Sequence, residues 1–137
     1  MKLVVHTDGG ARGNPGKAAV GVVVHNSHGE KLFEFGEQIG EATNNVAEYR
    51  AVEEALKKIR ESTQEVSHID FYLDSTLVVN QLNGLFKVKD ARLRELLSQI
   101  RVLEQEVGGV IRYNAVPREQ NRRADFLVNQ ALDEGVR

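Results

Sequence analysis

Lys2-Leu3-Val4-Val5-His6-Thr7-Asp8, followed at once by Gly9-Gly10-Ala11-Arg12-Gly13-Asn14-Pro15-Gly16, reads as an apolar β-strand that runs into an acid and then into a turn. A second run, His68-Ile69-Asp70-Phe71-Tyr72-Leu73-Asp74, repeats the device: a strand that ends on a carboxylate. In an α/β sheet, ligands collect outside the carboxyl ends of the strands. If these two strands are parallel neighbours, Asp8 and Asp74 lie side by side at that end.

Around these two runs the chain parses into alternating elements. Residues 20–25 and 30–40 read as strands joined by the turn Asn26-Ser27-His28-Gly29, which makes an antiparallel meander with residues 2–8. Thr43-Asn44-Asn45 offers N-cap chemistry for a helix to about Arg60. After strand 68–74 come a short helix over 75–83, ended by Gly84, and a longer one over 91–107, with Leu93, Leu96, Leu97, Ile100, Leu103 and Val107 at helical spacing. Residues 110–116 form a fifth strand and 121–134 a last helix. The order β-β-β-α-β-α-α-β-α predicts an α/β fold: one mixed five-stranded sheet, three strands antiparallel and two parallel, flanked by helices.

Two more acids occupy awkward places. Glu48 heads the helical stripe Val52, Ala55, Leu56 and Ile59, where an acid is costly unless paired or metal-bound. Asp125 flanks the stripe Ala124, Leu127, Val128, Ala131 and Leu132. Each acid has a plainer explanation on its own: a turn residue for Asp8, a helix cap for Asp74, a first-turn partner of the helix dipole for Glu48 and Asp125. One shared role replaces four separate ones. Hard oxygen ligands suit magnesium or manganese, and two such ions can clamp the attacking and leaving oxygens of a phosphoryl displacement. Asn14, Thr43, Asn44 and Asn45 fall near the same edge, and asparagine suits 2′-hydroxyls and minor-groove base edges.

Composition narrows the classes. The chain has 137 residues, which suits one domain over 1–137. It has no cysteine, so a disulfide framework, a thiolate metal site and a cysteine nucleophile are excluded. The four histidines form no spaced ligand motif. No apolar run is long enough for a signal peptide or membrane span, so a cytoplasmic setting is expected. The formal net charge of -2 does not advertise nucleic-acid binding. Local groups count for more: Lys87, Lys89, Arg92 and Arg94, then Arg118, Arg122 and Arg123, are the available phosphate contacts.

Thr7-Asp8-Gly9-Gly10-Ala11 with Gly13-Asn14-Pro15-Gly16, then Thr43-Asn44-Asn45-Val46-Ala47-Glu48, then Asp74-Ser75, then Asn121-Arg122-Arg123-Ala124-Asp125, resembles type 1 ribonuclease H in order and spacing over nearly the whole chain. The resemblance implies a ribonuclease H-like fold. It implies endonucleolytic hydrolysis of the RNA strand of RNA–DNA hybrids, leaving 5′-phosphate and 3′-hydroxyl ends, with two Mg2+ or Mn2+ ions held by Asp8, Glu48, Asp74 and Asp125. It also implies hybrid contacts at Asn14, Asn44 and Asn45, a DNA-phosphate contact at Thr43, and a monomer. Double-stranded RNA is a further substrate of some relatives.

Two departures stand out. The loop Val116-Pro117-Arg118-Glu119-Gln120-Asn121 lacks the histidine many members carry; Arg118 looks like its substitute and can hold a phosphate but not shuttle a proton near neutral pH. Within residues 1–137 neither the basic protrusion nor the separate hybrid-binding domain that many members carry is expected. A non-catalytic hybrid-binding module of the same fold, and an integrase-like strand-transfer enzyme, remain alternatives at this point.

Overall fold

The computed structural model describes residues 1–62 and 65–134; residues 135–137 of the expected domain lie outside them. The order is β1 (Lys2–Gly13), β2 (Gly16–Asn26), β3 (Lys31–Ala42), α1 (Asn44–Glu61), β4 (His68–Leu73), α2 (Thr76–Leu82), α3 (Ala91–Val107), β5 (Val110–Ala115), a single 3-10 turn (Arg118–Gln120) and α4 (Arg122–Glu134). The sheet runs β3-β2-β1-β4-β5. β1–β3 are antiparallel, and β4 and β5 pair in parallel with β1 and β4. This is the mixed five-stranded arrangement that the element order implies. No helix is long and apolar enough to cross a membrane among the described residues.

The strand boundaries differ around the first turn, where β2 also starts at Gly16 rather than residue 20. Residues 9–13 were expected to turn, yet β1 continues through them to Gly13 in unbroken register with β2, and only Asn14-Pro15 turns. Asp8 therefore does not close β1; it stands inside the strand, two residues past the end of the parallel ladder with β4. Gly9, one of the glycines that suggested a turn, serves close packing instead, as does Gly21 in β2. A Cβ at Gly9 would overlap the Ala47 carbonyl of α1, and one at Gly21 would overlap the Ala124 carbonyl of α4.

These two contacts set the layers. α1 and α3 cover one face over a core that includes Val5, Val24, Tyr49, Leu56, Phe71 and Ile100. α4 covers part of the other face, with Leu127, Val128 and Leu132 against β2 residues Ala19 and Val23. Asp8, Gly21 and Gly36 are direct cross-strand neighbours, so they form one row on one face. The helix that settles on the two glycines arrives beside Asp8. Caps fix the helix starts: Thr43 Oγ1 accepts from the Val46 N–H, Ser75 Oγ from Val78, and Asp90 Oδ1 from Leu93.

Candidate active site

Three elements bring carboxylates to one point. Asp8 comes from β1, Glu48 from the second turn of α1, and Asp74 from the residue after β4. One oxygen of each lies within 4.8 Å of the others. β1 and β4 pair as far as His6 and Tyr72, and Asp8 and Asp74 each follow two residues on, so the period of the strand aims both to the same side. Asp8 and Glu48 are only 6% and 7% exposed. Together with Arg118, Asp125 and Asn44 they line a cavity of about 410 Å3.

Such burial strains the charges. Asp8 is pushed up to about 7, first by desolvation and then by the neighbouring charge of Asp74. Glu48 is held well above the carboxylate range by desolvation and then by Asp8; the Gly9 N–H works in the opposite direction. Asp74 is also raised by burial, against the relief of Arg118 and of a hydrogen bond from Asn121. Glu48 Oε2 is buried with no hydrogen-bond partner. A buried carboxylate oxygen with no donor, beside two like charges, is costly unless a cation completes it. The donor set is all oxygen, so the residues present fit a hard divalent ion.

The plainer explanations of three acids fail on this geometry. Asp8 is in a strand rather than a turn, Ser75 and not Asp74 caps α2, and Glu48 lies beyond the first turn of α1. Asp125 does sit in the first turn of α4, so the dipole explanation holds for it alongside any other. It lines the same cavity but stands outside the tight trio, half-exposed, 3.5 Å from the guanidinium of Arg118. Arg118 itself is 78% exposed at the cavity rim.

The polar residues sort themselves by what they already hold. Thr43 caps α1 through its hydroxyl oxygen and keeps its hydroxyl proton to donate. Asn44 Oδ1 accepts from the Ala11 N–H at 2.9 Å, and Asn14 Oδ1 accepts from the Asn44 N–H at 3.0 Å. Both amides are thereby locked with their NH2 groups free to donate. Asn45 is exposed beside them.

Asn121 went unassigned in the sequence, where an asparagine ahead of a helix looks like a cap. Its side chain is 1% exposed and donates to the Thr7 carbonyl at 2.9 Å, while it also reaches Asp74. It thus ties the middle of β1, next to Asp8, and the residue after β4 to the start of α4. The only signal was its place inside the Asn121–Asp125 motif.

The site can now be set beside known proteins. Residues 6–131 match the model of the reverse transcriptase-like family. LC11-RNase H1, isolated from compost, superposes with a TM-score of 0.93 at 40% identity, over 99% of each chain. The chain belongs to the type 1 ribonuclease H family. The same relative has been solved in complex with an RNA/DNA hybrid, and that structure also superposes with a TM-score of 0.93, over 98% of this chain and 99% of the relative. Ribonuclease HI of Halobacterium salinarum is 42% identical over 97% of this chain and 65% of its own length. A bifunctional protein of Mycobacterium tuberculosis is 42% identical over 97% of this chain, which spans only 36% of that protein.

Proposed function

We propose that residues 1–137 act as one catalytic domain, a ribonuclease H that hydrolyses the RNA strand of RNA–DNA hybrids with the help of two divalent ions, Mg2+ or Mn2+. The observation that carries this is the convergence of three carboxylates, two buried and one half-buried, from β1, α1 and the end of β4, beside amides locked as donors. A binding module has no need for raised-pKa acids at the floor of its cavity.

Asp8, Glu48 and Asp74 would hold the ions, with Asp125 completing the set from α4. Bound there, the ions supply Lewis-acid activation of water and neutralise charge at the scissile phosphate. The chain's own groups do the rest. Arg118, exposed at the rim, can pair with a phosphate oxygen as substrate arrives. The donating amides of Asn14 and Asn44, with Asn45, suit acceptor atoms on 2′-hydroxyls and minor-groove base edges, which mark the RNA strand. The Thr43 hydroxyl suits a phosphate of the other strand. On this reading the protein works as a cytoplasmic monomer, with double-stranded RNA as a second substrate to try.

One gel tests this. Labelled hybrid, double-stranded RNA and double-stranded DNA are incubated with magnesium or manganese, using wild type and Asp74→Asn. Cleavage of the RNA in the hybrid by wild type alone is expected. No cleavage of any substrate with either metal would favour the binding module.

A further inference from the structure

α4 lies over β2, β3 and part of β1, and leaves the rest of that sheet face half-exposed. The parallel register arranges the open part in rows. The row next to the acids holds His6, Tyr72 and Asn114. The row beyond it holds Val4, Asp70 and Arg112, and Lys2 and His68 follow. His6 precedes Asp8 by two residues and Tyr72 precedes Asp74 by two. Both rings therefore lie one row, roughly 6.6 Å, from the acids on the same face.

The His6 and Tyr72 rings stack on each other at 5.2 Å between centroids. Asn114 is half-exposed and anchored through its NH2 to the Phe71 carbonyl. Arg112 and Lys2 are exposed, against the single acid Asp70 in these rows. Half-exposed rings flanked by cations are the elements of a sequence-tolerant platform for single strands.

We propose that this face binds the single-stranded continuation of the RNA whose hybrid portion lies at the acids. The inference rests on the hydrolase reading above, because the strand at Asp8 and Asp74 is then RNA. Its unpaired extension meets the ring row first and the Arg112 row next. Bases stack on the His6–Tyr72 pair, and phosphates meet Arg112 and Lys2.

The test uses the full chain. Binding of a short hybrid is measured in EDTA by fluorescence anisotropy, with the hybrid blunt or carrying an RNA extension at its 5′ or 3′ end. An extension at one end tightens binding about tenfold, the scale of one stacked base. Tyr72→Ala removes most of that gain, and Arg112→Glu removes most of it together with its salt dependence, while both variants cleave the blunt hybrid as wild type does. Arg112 is exposed, so its variant retains the fold; a melting curve checks Tyr72→Ala. An extension that adds nothing at either end, or a gain that survives both substitutions, overturns the platform alone. Failure of wild type to cleave the blunt hybrid overturns the hydrolase reading beneath it.

Discussion

The inner and outer walls of the acid cavity are built differently. The inner wall is Asp8, Glu48 and Asp74, carried by two paired strands and a helix pressed onto one of them through Gly9. Its acids are buried or half-buried and all are raised. The outer wall is Asp125 and Arg118, on the first turn of α4 and the turn before it, and both keep access to solvent. The inner wall holds charge where charge is costly, whereas the outer wall holds it in contact with solvent. A buried floor suits ion binding, and a solvated rim suits a passing substrate.

That contrast orders the expected effects. Asp74→Asn or Glu48→Gln should each lower hybrid cleavage by about a thousandfold or more, at least about 4 kcal/mol of transition-state stabilisation, measured as kcat/KM. Asp125→Asn should lose less, roughly tenfold to a hundredfold, because its carboxylate stands apart from the trio and is already partly solvated. An Asp125 variant as inactive as the Asp74 variant would erase the distinction between the walls. Arg118→Ala should raise KM more than it lowers kcat, with stability changed by less than about 0.5 kcal/mol, since exposed pairs contribute little.

The same contrast has a pH signature. A carboxyl raised in the fold binds its proton more tightly there than in the unfolded chain. Its contribution to stability is full below about pH 4 and is lost as pH rises through about 7. Denaturant melts in EDTA should therefore show the wild type losing stability over that window. Added Mn2+ should restore it at pH 8, because an ion that binds only the folded state stabilises it by mass action.

Much of this was legible in the sequence. Glu48 was individually conspicuous because four apolar residues follow it on one helix face. Asp8 and Asp74 needed the assumption that their strands are parallel neighbours, and the register confirms it. Gly9 misled, because a glycine that admits a helix and a glycine that turns a chain look alike until the packing is known. Asn121 was invisible as a brace because its partners lie 114 residues away at Thr7 and across the sheet at Asp74. The row of His6, Tyr72 and Asn114 could not be seen at all, since it exists only once three strands are in register.

The claim at the centre is that Asp8 belongs to a repelling cluster held together for metal at the expense of stability. Melting Asp8→Asn beside wild type in EDTA at pH 8 tests it most directly. The variant should be inactive on hybrid yet as stable as wild type, or more so by up to a few kcal/mol, because it removes a buried charge that its neighbours oppose. Clear destabilisation of the metal-free variant would contradict the clustered-acid site.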